Sequence, residues 1–388
     1  SNTTDGVIIT PDTSGEIELQ ADGVTKAKVT ANGLQDANGA SLRGGSFRNL
    51  IINGDMSFAQ RATSKTGITG AGYHTVDRFK TSISGLGTWT QSQSTDVPTG
   101  QGFANSLKMD CTTADASPAA GDFLSIYHSI EAQNLQHLKY GTSSAESFTI
   151  SFWVKSNKTG TYNVMCLQMD NSLEMFSQSY TINTANTWEK KTITYTGDID
   201  GVINNDNGEG LRVYFYLGAG TNRTSGSSNT EWSTYTTANE APSQVNLADS
   251  TSNEWYITGV QLEVGEGASD FEFLPYDVQL QRCQRYFRTV GDGMIGRASN
   301  ATTVYYSHHF ETHMRTTPTM TLAPSASVRF GNLYSVDHTA TSPALVLPRA
   351  SFRSVAGQIS GFSGMTTADM LQSWQCSPAG WLFCDAEL

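Results

Sequence analysis

Residues 148–156, FTISFWVKS, alternate: Phe148, Ile150, Phe152 and Val154 fall on one face, Thr149, Ser151 and Lys155 on the other. A period of two marks a half-buried strand. It recurs at 190–197, with Ile193 and Tyr195, and at 255–264, where Trp255 and Ile257 lead on to Val260, Leu262 and Val264. Gly259 stands where that last alternation slips, so a bulge or bend is expected there. Residues 211–218, LRVYFYLG, are apolar or aromatic almost throughout, the pattern of a central strand of a sandwich. One short helix is predicted near 129–139, around Ile130, Leu135 and Leu138. The connection at 218–253 shows no core pattern, yet holds Trp232 and Tyr235; a loop so long inside a domain is often functional.

The rhythm changes on both sides of this region. Residues 1–48 carry short alternating runs separated by Asp22-Gly23, Asn32-Gly33 and Asn38-Gly39, pairs that suit tight turns. One copy of such a leader buries too little to offset its ordering entropy. It is therefore expected to pair with copies of itself or dock on a larger assembly; the alternative is a floppy leader. Beyond residue 274, Leu280, Cys283 and Phe287 recur at helical spacing behind Asp277 as a cap, with Arg282, Arg285 and Arg288 facing away. Strands are expected again at 302–311, 317–324, 344–353 and 380–388. The prediction is an all-β protein: an extended N-terminal segment (1–48), a β-sandwich domain (49–276), and a connecting helix with a smaller C-terminal β domain (277–388).

Composition agrees. Only 15% of residues are charged, against roughly 25% in an average globular protein, and Gly, Ser, Thr and Asn take up the difference. The net charge of −12 gives the chain no electrostatic reason to follow a phosphate backbone, so nucleic acid is not an expected partner. No apolar run approaches the ~20 residues of a membrane span, and no signal-peptide pattern opens the chain, so no membrane insertion is expected. Cys111, Cys166, Cys283, Cys376 and Cys384 are odd in number and lack a CxxC pair; they read as buried thiols in a protein folded under reducing conditions. A Cys376–Cys384 disulfide is the alternative.

At 49–61, NLIINGDMSFAQR, the sequence resembles phage tail fibres and related virion appendage proteins, especially of marine and cyanobacterial phages. The likeness continues through TVDRF (75–79), SIEAQNLQHLKYGT (129–142), SFTISFWVKSNKTGTY (147–162) and the stretch from Val245 to Phe287, in the order and spacing of that family, and covers roughly residues 49–290. The closing FCDAEL looks like the family's C-terminal strand. The resemblance implies a jelly-roll sandwich similar to carbohydrate-binding modules, with NLIINGDMSF as its first strand, then a small C-terminal β-sandwich. It also implies a homotrimer in the virion, assembled in the host cytoplasm, joined to other tail or virion proteins through its N-terminal segment and touching host-surface polysaccharide or lipopolysaccharide. A non-binding structural or decoration subunit of tail, neck or head is one alternative, a polysaccharide depolymerase another.

A sugar offers apolar faces and hydroxyl edges, so its site pairs exposed aromatics with polar side chains. Trp232 and Tyr235, with Asn229, Glu231 and Asn239 near them, fit that need. The other reading has Trp232 plugging its loop onto the sandwich or sitting at a subunit boundary. Trp153, Trp188 and Trp255 read as core. A structural calcium, implied by likeness to the jelly-roll modules, would find oxygen ligands in Asn53, Asp55 and Glu263; otherwise Asn-Gly-Asp is a stabilised turn. The acidic run 198–210 misses the alternating calcium-loop pattern and reads as a solvated loop. His309 and His313 fall on one face of a predicted strand about 13 Å apart, too far to share an ion within one chain. No GxSxG, HExxH or P-loop is present, and no acid pair stands out. No enzyme activity is expected. Asp77 and Arg78 are assigned structural roles, with Phe79 in the core.

Overall fold

In the computed structural model, residues 8–11, 16–30, 33–37, 47–170, 173–331, 337–367, 369–373, 375–377 and 380–388 are described. They divide into two units, 1–274 and 275–388.

The leader forms a four-stranded antiparallel meander of β1 (Ile8–Pro11), β2 (Ile17–Ala21), β3 (Val24–Thr30) and β4 (Gly33–Asp36). Asp22 and Gly23 both take positive φ, 53° and 72°, the geometry that lets a two-residue turn match strand twist. Ile17 lies opposite Val29, and Val29 opposite Leu34. All three remain 38–42% exposed, so one apolar row runs uncovered across the sheet.

The sandwich uses β5 (Ser64–Ile68), β6 (Gly72–Tyr73), β7 (Phe79–Ser84), β8 (Thr88–Ser94), β9 (Ser106–Thr113), β10 (Phe123–Glu131), β11 (Phe148–Ser156), β12 (Gly160–Gln168), β13 (Glu174–Ile182), β14 (Glu189–Tyr195), β15 (Glu209–Ala219), β16 (Ser233–Thr234) and β17 (Glu254–Val264). Seven strands form one sheet in the order β16-β13-β12-β15-β10-β7-β6; six form the other in the order β14-β11-β17-β9-β8-β5. Every named pairing within them is antiparallel, which gives the jelly-roll sandwich. The alternating residues meet between the sheets. Trp89, Trp255, Phe148, Phe152, Phe215 and Tyr195 are all fully buried there. Truncating one such aromatic to Ala costs about 3–5 kcal/mol, because the rigid sheets cannot close over the hole.

The slip at Gly259 is a bulge. Ser151 pairs with Gln261 and Trp153 with Thr258, so Gly259 and Val260 share the space opposite Phe152. Gly259 has φ +62°, and a Cβ there would lie 2.6 Å from the Phe103 ring.

Residues 49–58 do not form the expected first strand. Asn53 and Met56 turn the chain at φ +63° and +59°. The Asn53 amide donates to the carbonyls of Phe58 and Asp77, and its oxygen accepts from Phe58 N–H. Leu50 N–H donates to Leu262 O, and Val260 N–H to Gly54 O. The segment is a buried clasp against β17, with Met56 and Phe58 packed inward. The apolar run 50–52 gave the strand signal; the Asn side chain overrode it by satisfying the backbone in a turn. Asp77 and Arg78 support the clasp. Asp77 accepts from Gln60 N–H and Nε2, and the buried Arg78 donates to Ser129 O at 2.7 Å; Phe79 is in the core.

The helix expected at 129–139 is a 3-10 turn, Ala132–Leu138, entered directly from β10. The loop 218–253 is largely ordered: a single helical turn at Thr221–Thr224, β16 pairing with β13, and 3-10 turns at Thr237–Asn239 and Leu247–Asp249.

The second unit opens with a helix, Tyr276–Gln284, capped by Pro275 rather than Asp277. Phe287 and Arg288 already belong to a strand, β18 (Phe287–Val290). Arg288 therefore does not face away: it is 5% exposed, its guanidinium lies 4.7 Å from the Phe310 ring centre, and burial lowers its pKa. Strands β19 (Ile295–Asn300), β20 (Thr303–His309), β21 (Thr319–Leu322), β22 (Val328–Gly331), β23 (Asp337–Ala340), β24 (Ala344–Leu345), β25 (Arg349–Ser351), β26 (Ser354–Ser360), β27 (Met370–Ser373) and β28 (Leu382–Asp385) complete it. They form a three-stranded and an eight-stranded sheet around Trp381, Val304, Phe330, Val355 and Leu382. β20 ends at His309, so His309 and His313 do not share a strand face. All five cysteines are free and buried, without the Cys376–Cys384 bond. Among the described residues, no helix is long and apolar enough to cross a membrane.

Candidate functional site

Strand β15 has two faces of different character. Leu211, Val213, Phe215 and Leu217 enter the core, which forces Arg212, Tyr214 and Tyr216 onto the outer face of the seven-stranded sheet. Register then sets Met165, Tyr214, Tyr127, Lys80 and Tyr73 side by side in one row across β12, β15, β10, β7 and β6. The Tyr127 and Tyr214 rings are 4.8 Å apart, and Tyr214 and Tyr216 stack at 6.1 Å. The Lys80 ammonium lies 5.3 Å from the Tyr73 ring centre and 5.5 Å from that of Tyr127; the Arg212 guanidinium is 5.3 Å from Tyr127. These are cation–π distances.

Beside this row opens a recess of about 260 Å³, floored by Met165, Leu167, Tyr214 and Tyr216 and walled by Arg223, Tyr235 and Glu240 from the long loop. The loop is fixed by its own backbone: Tyr235 N–H donates to Leu173 O, and Ala241 N–H to Arg223 O. Glu240, 3% exposed, accepts from the hydroxyls of Tyr216 and Tyr235 and pairs with Arg223 at 2.7 Å. Glu209 is likewise engaged, by the Arg212 guanidinium and the Ser129 hydroxyl. Burial pushes the Tyr214 hydroxyl up to about 12, and burial followed by the Glu240 charge raises Tyr216 well above the ordinary range. Both hydroxyls stay protonated at neutral pH. Burial, the largest single effect, disfavours the Arg212 cation, but the bond to Glu209 together with the interactions with Tyr214 and the Glu209 charge outweighs it and its pKa rises. The result is an apolar aromatic floor with fixed donors at its edge. It suits a ligand that has a flat apolar face and a polar rim.

Of the residues singled out in the loop, Tyr235 reaches the recess. Trp232 does not. Its indole N–H donates to Thr196 O at 2.7 Å, and its ring packs edge-on against Phe176 and Tyr140 at 5.7 and 5.8 Å. It plugs the loop onto the sandwich. Asn229 bonds Ser233 through its amide, and Asn239 accepts from Ser227 N–H; both close the loop on itself, while Glu231 is exposed. Tyr127, Tyr214, Tyr216, Arg212 and Lys80 went unrecognised in the sequence. Their signal was the Arg-x-Tyr-x-Tyr spacing at 212, 214 and 216, hidden inside a run that reads as apolar on both faces. Trp255 is buried, whereas Trp153 and Trp188 are half-buried on the outside of the smaller sheet.

Asn53, Asp55 and Glu263 do not fit a calcium site. A hard cation needs free oxygen lone pairs. Asn53 is spent on Phe58 and Asp77. Glu263, 4% exposed, accepts from Ser269 N–H, Ser269 Oγ and Gln261 Nε2, and Asp55 accepts from Ser57 Oγ. No group of three or more His, Cys, Asp or Glu side chains is placed to hold a metal among the described residues. In the acidic run, Asp198 is buried rather than solvated. It accepts from Gln168 Nε2 at 2.6 Å, and a hydrogen bond to Asp198, with burial, pushes Glu174 up to about 7.

No protein-family model matches the sequence. No curated protein is similar to it. Among solved structures, the enzymatically active domain of tailspike protein 4 of bacteriophage CBA120 is similar over 56% of this chain, at 14% identity and a TM-score of 0.30; the match spans 21% of that domain's own length. A CBM4 structure matches over 55% of this chain and 99% of its own length (16% identity, TM-score 0.29). The family 11 carbohydrate-binding module of a cellulosomal cellulase of Clostridium thermocellum matches over 52% and 98% (13% identity, TM-score 0.26). At these scores the likenesses say nothing of what this chain binds.

Proposed function

We propose that this chain is a glycan-binding subunit of a phage tail fibre or related virion appendage, and that it holds host-surface polysaccharide or lipopolysaccharide against the tyrosine row. One observation carries the reading: Tyr214, Tyr127, Lys80 and Tyr73 stand in one row on an outer sheet face, the first two packed down and Tyr73 half-buried, beside a recess with fixed hydroxyl and guanidinium groups. Burying a sugar ring on such a floor gains apolar contact while its hydroxyls keep partners. The virion role is supported by the sequence resemblance over 49–290. Homotrimer formation, with attachment through the leader, is supported by the uncovered row Ile17, Val29 and Leu34, which a second and third copy would cover.

Binding is favoured over cleavage. Hydrolysis needs two working carboxyls ~5–9 Å apart, whereas both glutamates at the groove, Glu209 and Glu240, are saturated by protein partners. The test is affinity electrophoresis of the full chain through gels containing host-surface polysaccharide. Retardation is expected, and Tyr127→Ala and Tyr214→Ala each weaken it at least tenfold, about 1.4 kcal/mol or more. An unretarded parent protein would leave the decoration role in its place. Light scattering on the chain with its leader intact should give three times the single-chain mass; a monomer mass removes the trimer.

A further inference from the structure

We infer that the tyrosine row selects acidic glycans: a carboxylate-bearing sugar, such as a uronate, lies over the half-buried Tyr73 with its carboxylate on Lys80. This rests on the glycan reading above and narrows its ligand class. Of the ten lysines, Lys26, Lys65 and Lys190 are exposed and have no carboxylate partner among the described residues, so it is a half-buried lysine left without one that is unusual here. Lys28, Lys108, Lys139, Lys155, Lys158 and Lys191 all have carboxylate partners within 4 Å. Lys80 has none among the described residues; its ammonium sits between two tyrosine rings instead.

Two further features point the same way. Strands ~4.8 Å apart place Tyr73 and Tyr127 about 10 Å from one another with the ammonium between them, so a sugar ring stacked on Tyr73, the less buried of the two, brings a substituent to the charge. The groove's own glutamates are neutralised by Arg212 and Arg223, so neither repels an anionic ligand. An ammonium–carboxylate contact beside aromatic rings is a charge-assisted bond in a partly desolvated place, stronger than a neutral one.

The test measures binding of the full chain, by calorimetry and affinity electrophoresis, to oligosaccharides of polygalacturonate, alginate and hyaluronan and to the same oligosaccharides after carboxyl reduction. The expected result is retention of at least one acidic oligosaccharide, with a tenfold or greater loss on carboxyl reduction. Lys80→Met should produce the same loss, Lys80→Arg should restore binding, and raising salt from 50 to 500 mM should weaken it. Equal binding of reduced and unreduced forms, indifferent to Lys80→Met but lost in Tyr214→Ala, overturns the acidic preference and leaves the groove as a neutral-glycan site. No binding of any form, with host polysaccharide also unbound, overturns both. Thermal melting of Lys80→Met at the parent temperature excludes a folding defect.

Discussion

Two faces of the sandwich carry aromatic rings and lysines, and they are built to opposite ends. On the outside of the six-stranded sheet, Lys155 lies 4.3 Å from the Tyr256 ring centre and 5.6 Å from that of Trp188, much as Lys80 lies between Tyr73 and Tyr127 on the seven-stranded sheet. But Lys155 is ion-paired to Asp96, which also accepts the Trp188 indole N–H at 3.0 Å, and the nearby Lys108 pairs with Glu254 at 2.7 Å. That cluster is closed upon itself and works as a clamp between strands. The Lys80 row has the same residue types and lacks the acid. Aromatic-plus-cation composition therefore does not identify a site; the state of the charge does.

Three substitutions that should destabilise, taken in falling order, and one that should not, Lys80→Met, test that contrast. Trp232→Ala removes the plug that holds the recess wall. It should cost about 3 kcal/mol, a drop of roughly 6–12 °C in Tm by calorimetry, and should weaken glycan binding through the loosened loop. Asp96→Ala strands Lys155 and should cost about 2 kcal/mol in urea unfolding, less than for a fully enclosed pair because Asp96 is partly exposed. Lys80→Met should leave stability unchanged, and equal costs for the two changes would erase the distinction. Tyr216→Phe deprives Glu240 of a donor and should cost about 1 kcal/mol with a few-fold loss of affinity.

The smallest effect is on pH. Glu174 in the folded protein titrates near 7, above its ordinary value of 4.5, because of the bond to Asp198, burial and the charges of Asp198 and Asp200. The folded state therefore holds this proton more tightly. The stabilisation is complete below pH 4.5 and is lost as pH rises through 7. Melting temperature should fall by a few degrees between pH 5 and 8, and Glu174→Gln should flatten that slope.

The strands were legible because alternation is a local property: 148–156 matches β11, and 255–264 falls within β17 with its bulge at Gly259. The clasp at 49–58 was not, since Leu50, Ile51 and Ile52 look the same whether they line a sheet or fill its end. The decision lies with Asn53, which binds Phe58 and Asp77, and with the partners of Leu50 and Gly54 far along the chain. The groove was missed for a related reason. The Tyr73–Lys80 pair, Tyr127 and Tyr214 are distant in sequence, and only inter-strand register makes them neighbours. Tyr235 was accessible because it stood apart in a loop. Trp232 stood beside it with the same signal and the opposite fate, since nothing local records the cavity beside Phe176 that receives it.

The clasp also dictates a timetable. Its acceptor at Leu262 and its donor at Val260 lie some two hundred positions further on, so as the polypeptide leaves the ribosome the Asn53 turn can close on Phe58 and Asp77 early, but its docking through Asn49, Leu50 and Gly54 must wait for almost the whole sandwich to be translated. Pairings this remote make folding slow. A shortened version trimmed past residue 48 would lose its latch on the last strand, so Asn49 is the natural limit for any engineered start.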